Sequence, residues 1–256
     1  MSTVSRFVEN QSNGEATLNQ LPLMHSCDFN TSRLILRSNV LKATDCKVFK
    51  DKLLFFFFYG KPSYPVGEKV EGHRTDDEYC PVCFIVPLNK VSIHRAFPFD
   101  TGAFDAKMYS GFLHHNLKIE EFEMDHTIES IMKYIKVFFG NNENYLRGDA
   151  LVREKTHDPY IDGLISLHSA GGTQAIDERA NTVEIMTKND VIVADSVEGV
   201  IVPESLLRDN DLIQFLEEND IPYIPYAIRR MTAPCMYHGA VVTLADQYVK
   251  GKKGKL

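Results

Sequence analysis

The sequence predicts an α+β fold, a mixed and mostly antiparallel sheet with a few packed helices, and three observations lead there. Residues 53–59 and 81–87 are short apolar blocks rich in β-formers. Residues 127–139 carry helical periodicity. Strand-like and helix-like stretches alternate irregularly, without the βαβα rhythm of a doubly wound sheet.

Residues 1–20 are polar and without clear periodicity, which predicts a flexible leader. The apolar run 21–25, ending in His25, reads as a first strand. From Asn30 the text is Asn-Thr-Ser-Arg-Leu-Ile-Leu-Arg-Ser-Asn. Asn30, Thr31 or Ser32 can accept a bond from orphan amides and start a short helix, and Asn39 tolerates the left-handed stop. Residues 53–59, Leu-Leu-Phe-Phe-Phe-Phe-Tyr, are apolar on both faces and end at Gly60 and Pro62, as a central strand would. Pro81-Val-Cys-Phe-Ile-Val-Pro87 is a second buried strand bracketed by prolines. Ile128, Ile131, Met132, Ile135, Phe138 and Phe139 share one helical face that Gly140 terminates. Residues 182–186, 191–194 and 199–202 are strand-like, Pro203 opens a helical stretch to about Glu218, and 221–228 is a last strand. One domain over 21–249 is expected, followed by a solvated basic tail at 250–256.

Composition narrows the function classes. The 256 residues are 44% hydrophobic and 25% charged, which suits a globular chain and argues against long disorder. Sixteen Phe and eleven Tyr supply core bulk in the absence of Trp. A net charge of −7 gives no global attraction to nucleic acid or anionic membranes. Five cysteines, an odd number at irregular spacing, fit a reducing compartment. No apolar run approaches the roughly 20 residues of a membrane span, and the N-terminus lacks a secretory apolar core. A soluble, cytoplasmic protein is the expectation.

Cys80-Pro-Val-Cys83 has the spacing of half a zinc site, but a structural site needs four ligands and no second close pair exists. Buried thiols and no metal are expected there. Adjacent His114 and His115 cannot face one metal from a helix. Gly171-Gly172 belongs to neither a phosphate-cradling loop nor a dinucleotide fingerprint. Residues 95–104, Arg-Ala-Phe-Pro-Phe-Asp-Thr-Gly-Ala-Phe, suit either a polar ligand held against rings or an aromatic turn packed on the core. Glu184 interrupts an otherwise apolar strand in Asp177-Glu-Arg179-Ala-Asn-Thr-Val-Glu184-Ile-Met. On a solvated face that is ordinary; on a face lining a cleft, its carboxylate could stabilise a developing cation or orient a hydroxyl.

His25 at a first strand, the helix ending Ile35-Leu-Arg-Ser-Asn-Val-Leu41, the aromatic strand ending in Tyr59 and a late strand bearing Glu184 form a progression. It resembles the ADP-ribosyltransferase superfamily, and within it the nucleic-acid-modifying DarT-like toxins. The resemblance spans residues 21–228 through short motifs. It implies an NAD-dependent transferase, a toxin or antiviral defence effector, that cleaves the nicotinamide–ribose bond and passes ADP-ribose to a nucleic acid or protein. An antitoxin or regulatory partner would accompany it. Glu184 and Arg179 are then the catalytic candidates. His25, Ser26, Arg37, Tyr59, Tyr64 and Arg95 are the candidates for holding NAD, with His25 on the ribose and Tyr59 or Tyr64 stacked on nicotinamide. DarT-like enzymes keep an NAD-binding arginine where this chain has none, between Leu41 and Leu53, which leaves the pyrophosphate to Arg179, Arg95 or Arg37. The alternative is a non-enzymatic nucleotide- or partner-binding protein of a defence system.

Overall fold

Local signals decide where most elements begin and end. The computed structural model describes residues 1–12, 18–49, 54–64, 66, 77–151, 153–170 and 177–253. In chain order the elements are α1 (Thr3–Gln11), β1 (Leu23–Asp28), α2 (Phe29–Ser38), β2 (Val40–Leu41), β3 (Phe55–Tyr59), β4 (Pro81–Val86), β5 (Arg95–Phe97) and α3 (Thr101–Asp105). There follow α4 (Ile128–Phe139), α5 (Asn142–Arg147), α6 (Pro159–His168), β6 (Glu184–Thr187), β7 (Val191–Ile192) and α7 (Val193–Ser196). The last are β8 (Gly199–Pro203), α8 (Asn210–Glu218), β9 (Tyr223–Tyr226) and α9 (His238–Lys253). The fold class is α+β, as the sequence predicts. Leu53, Gly171-Gly172 and residues 254–256 lie outside the described residues. No helix among the described residues is long and apolar enough to cross a membrane.

The expectation of one domain over 21–249 meets a different division. The chain forms two compact units, each assembled from three separated segments. The first comprises Met1–Gln20, Asp45–Phe56 and Ile93–Thr187; the second comprises Leu21–Thr44, Phe57–Ser92 and Lys188–Leu256.

In the first unit, α1 replaces the expected flexible leader. Ser2 caps it, accepting the Ser5 N–H at 3.0 Å. Thr3 donates its N–H and hydroxyl to the Glu121 carboxylate at 2.9 and 2.7 Å. Val4 and Val8, one turn apart, are buried, and Phe7 packs 5.9 Å from Phe138 of α4. The periodic run of α4 is capped by Thr127 and stopped by Gly140 at φ 81°, a conformation that favours glycine. Asp158 and Pro159 start α6. Inside, His168 Nδ1 faces Asn181 Oδ1 at 2.9 Å while Nε2 meets the Tyr134 hydroxyl, so this buried imidazole is a satisfied core group. The strands β5 and β6 pair antiparallel, Phe97 opposite Glu184.

In the second unit the strand order is β3-β1-β4-β8-β9, antiparallel except for the parallel β8–β9 pair. Strand β4 is buried along its whole length, matching its apolar sequence on both faces. Burial raises the Cys83 thiol to about 12, and burial raises Cys80 to the same value with help from Asp77. Among the described residues no three His, Cys, Asp or Glu side chains are placed to hold a metal. Helix α9 lays Val241, Ala245 and Val249 into the core and continues through Lys253, into the stretch expected to be a solvated tail.

Several boundaries differ from the sequence reading: β1 starts at Leu23, β6 at Glu184, β9 spans only Tyr223–Tyr226, and the stretch 203–218 breaks into a 3-10 turn (Glu204–Arg208) and α8; at two further places a side chain decides the difference. The cap of α2 is Asp28, whose carboxylate accepts the Thr31 N–H at 2.8 Å, and not Asn30, Thr31 or Ser32. Residues 193–194 leave strand β7 for the short helix α7 because Asn39 takes their amides: its carbonyl accepts from Val193 at 3.1 Å and its Oδ1 from Ala194 at 2.8 Å. Asn39 also holds the left-handed stop of α2 at φ 55°. Asn39→Ala should therefore cost about 1–2 kcal/mol for the left-handed backbone and roughly 1 more for the lost bond. Denaturant unfolding of the variant measures the sum; a loss under about 0.5 kcal/mol would show that Asn39 is not the hinge of this turn.

Candidate active site

In the first unit the candidate site is built where β6, the start of α3 and the turn before β6 meet. All four residues of β6 are buried, and Glu184 is 3% exposed. This settles the orientation left open by the sequence: Glu184 does not sit on a solvated sheet face. Its Oε2 accepts the Thr101 N–H at 3.0 Å. One residue earlier, Asp100 caps α3, with Oδ1 accepting the N–H groups of Gly102 and Ala103 at 2.7 and 3.1 Å. The Asp100 N–H donates to the Arg179 carbonyl at 3.1 Å, which ties the two turns together.

Arg179 is the cation of this cluster. Its Nε and Nη2 donate to Asp177 at 2.9 and 2.5 Å, and Nη1 lies 3.6 Å from Asp100 Oδ2. Tyr109 completes the group, its hydroxyl buried and without a partner among the described residues. Two carboxylates, Asp100 and Asp177, thus share one guanidinium, and Glu184 feels the Asp100 carboxylate in a low-dielectric setting. Burial, reinforced by the Asp100 carboxylate, pushes Glu184 up to about 8, while the Thr101 bonds pull the other way. Asp100 is raised by burial too, against the N–H bonds and Arg179 that favour its charge. Burial works against the charge on Arg179, and the Asp177 and Asp100 carboxylates outweigh it. At neutral pH Glu184 accordingly holds its proton and Arg179 remains a cation.

Arg95, also in this unit, is committed elsewhere. Its guanidinium forks onto Glu123 with two bonds of 2.9 Å and lies 3.9 Å from the Phe49 ring centroid. The turn 95–104 thus divides its labour: Arg95 packs against rings, and Asp100-Thr101 reach Glu184.

In the second unit, His25 lies in the middle of β1 rather than at a strand end. It is half-buried, its ring edge-on to Phe57 at 6.2 Å. Ser26 is buried opposite Cys83. Tyr59 is 0% exposed, and its hydroxyl oxygen accepts the Leu21 N–H at 2.9 Å. Burial raises the Tyr59 phenol to about 12. The expectation of an open Tyr59 ring at a cleft mouth is thereby corrected. Tyr64 is 43% exposed. Arg37 is half-exposed on α2, 3.5 Å from Asp209. The sequence marks the turn 95–104, with its aspartate, as suited to a polar ligand, but of that turn only Arg95 is named a site residue, and Tyr109 is not singled out at all; Asp100-Thr-Gly carries a capping signature.

No family model matches the sequence, and no curated protein matches it. Solved structures do. The chain is similar to DarT. Against Thermus sp. 2.9 DarT in complex with NAD+, the TM-score is 0.44 at 9% identity, covering 82% of this chain and 98% of that one. For the same protein in complex with ADP-ribosylated ssDNA the values are 0.42, 10%, 85% and 98%. With carba-NAD+ they are 0.41, 11%, 83% and 97%. The likeness is loose, and the placement of individual side chains rests on the geometry above.

Proposed function

We propose that the chain is an NAD-dependent ADP-ribosyltransferase in which Glu184 is the catalytic carboxylate. The observation that supports this reading is a buried glutamate in an apolar strand, held by the Thr101 N–H beside a second carboxylate and an arginine. Cleavage of the nicotinamide–ribose bond builds positive charge on the sugar. A carboxylate in a water-poor setting stabilises such charge far better than one in water. The ligand must displace the groups that cover Glu184, and a cation arriving beside it favours loss of its proton. Thr101 holds the ionised oxygen in place, while Arg179 keeps Asp100 and Asp177 paired so that Glu184 is the carboxylate left to answer the new charge.

His25, Ser26, Arg37 and Tyr64 remain the proposed NAD contacts, with Tyr64 in place of Tyr59 as the ring on nicotinamide. The acceptor is proposed to be a nucleic acid or protein, and the role a toxin or defence effector with a regulatory partner. Tyr64→Ala should weaken NAD binding by about 0.5–1.5 kcal/mol at unchanged stability. Tyr59→Phe should instead destabilise the fold by about 1–3 kcal/mol, because the Leu21 N–H is left unsatisfied. Titration calorimetry with NAD on the Glu184→Gln background, paired with thermal melts, separates the two; an affinity loss at Tyr59 alone would reverse the assignment. The alternative, a nucleotide-binding protein without catalysis, draws support from the burial of Glu184, since a buried carboxyl beside the Arg179–Asp100 pair also serves as a structural tie. Nicotinamide release decides between them.

A further inference from the structure

The turn that brings an amide to Glu184 is built around Asp100. Strand β5 ends at Phe97, paired opposite Glu184 of β6, and after Pro98-Phe99-Asp100 the chain returns the Thr101 N–H to Glu184 Oε2 at 3.0 Å. Phe99 anchors this turn from below: it is fully buried, stacked on Phe104 at 5.6 Å and edge-on to Phe122 at 5.1 Å. Asp100, only 5% exposed, supplies the polar half. It is held at three points: the Arg179 carbonyl accepts its N–H at 3.1 Å, the Gly102 and Ala103 amides donate to its Oδ1 at 2.7 and 3.1 Å, and Arg179 Nη1 lies 3.6 Å from its Oδ2.

Two consequences reach Glu184. The first is geometric. The Thr101 N–H belongs to the planar peptide unit that begins at the Asp100 carbonyl, so fixing Asp100 fixes the direction in which that N–H points. A Cβ at position 102 would crowd Asp100 Oδ1 at 3.1 Å, and glycine there lets the carboxylate close on its amides. The second is electrostatic. Asp100 is a like charge for Glu184 inside a buried cluster, and it favours the protonated form of its neighbour. Among the described residues the other charged or titratable groups around the pair are Arg179 and Asp177, from the turn before β6, and Tyr109 beyond α3. Arg179 is drawn to Asp177 and Asp100 together, so its cation does not cancel the influence of Asp100 on Glu184 alone.

We propose that Asp100 is the positioning residue of this site, orienting the Glu184 carboxylate through the turn it caps and setting when that carboxylate becomes an anion through its own charge. The inference rests on the reading of Glu184 as the catalytic carboxylate and adds a residue to it. Asp100 touches neither NAD nor acceptor in this account; it acts through the Thr101 N–H and through space. Replacing it separates its two effects, because asparagine caps a turn as well as aspartate but brings no charge, whereas alanine removes both.

The full chain, labelled with carbon-13 at the glutamate carboxyls, is titrated by NMR alongside pH profiles of nicotinamide release. The Glu184 signal, assigned by its absence in Glu184→Gln, should have a midpoint of about 8 in the wild type. In Asp100→Asn Glu184 should ionise about tenfold more readily, and the rise of kcat/KM should move to lower pH with it. Asp100→Ala should lower kcat on the order of 10²-fold while KM for NAD stays within about threefold of the wild type. Asp100→Asn should recover most of that kcat, which a residue needed only for its charge would not. Should Asp100→Ala fail to fold, Asp100→Asn carries both readouts. An identical Glu184 midpoint in wild type and Asp100→Asn, or an Asp100→Ala chain that raises KM at constant kcat, would overturn the proposal. A wild type that releases no nicotinamide at any pH removes the transferase reading instead, and the NMR midpoint alone then decides whether Asp100 governs Glu184.

Discussion

Glu184→Gln is expected to lower nicotinamide release by about 10²–10³-fold while leaving the fold intact. Removing one preorganised group aimed at developing charge costs catalysis on that scale. Glutamine fills the same volume and still accepts the Thr101 N–H, so packing is preserved. The effect on stability should have the opposite sign. Glu184 is raised from an ordinary 4.5 to about 8, so between those values the folded chain holds a proton that the unfolded chain has lost. Its contribution to stability is complete below the unfolded value and disappears as pH rises through about 8. Thermal midpoints should fall for the wild type from pH 5 to 9 more than for Glu184→Gln. Because the ionised form is the active one, kcat/KM for nicotinamide release should climb as pH rises through about 8. Equal turnover in wild type and variant would remove Glu184 from catalysis, whereas identical melting profiles across that range would refute its perturbed proton.

Arg179→Leu should be the most destabilising single change in the first unit, costing about 3–5 kcal/mol. The guanidinium is nearly enclosed, with side-chain exposure of 9%, and it answers both Asp177 and Asp100. Its loss leaves Asp100, itself 8% exposed, as a buried carboxylate beside Glu184 with no cation. In a chain of this size that corresponds to a fall in melting temperature on the order of 10 °C. Lowering the pH should restore much of it, since protonated Asp100 no longer needs a partner. Arg179→Leu melting within about 2 °C of the wild type at pH 8 would show that the cluster is not held by this ion pair.

How much of this was legible depends on whether the deciding contact is local. Helix α4 was readable because its cap, apolar stripe and glycine stop lie within fourteen consecutive positions, 127–140. Strand β4 was readable from two prolines and the five apolar or β-forming residues between them. The same logic failed for α1, whose mostly polar sequence buries only Val4, Ser5 and Val8 and whose first turn is anchored by Glu121 and Glu123, more than a hundred residues away. Helix α9 did carry a signal, Val241, Ala245 and Val249 at four-residue spacing, though Gly239 and Gly251 dilute it.

The site divides along the same line. Glu184 stood out as a charge in an apolar strand. Its partners Asp100 and Thr101 come from a turn 83 residues earlier along the chain for the Thr101 bond, and no periodicity connects the two segments. Tyr59 misled because a strand end usually lies near the surface. Here it faces Leu23 across the β1–β3 ladder and spends its hydroxyl on Leu21. Arg95 looked available in the sequence, and Glu123 claims it in the fold.

The central claim is that this chain cleaves NAD with Glu184 as its carboxylate. Incubation of the purified protein with NAD labelled in the adenine ring, together with single-stranded DNA, RNA and a mixed protein extract, measures it directly when free nicotinamide and macromolecule-bound label are followed side by side. The expected result is stoichiometric nicotinamide release with label on one acceptor class, both lost in Glu184→Gln. Intact NAD after prolonged incubation with all three acceptors, or release unchanged by Glu184→Gln, would contradict it.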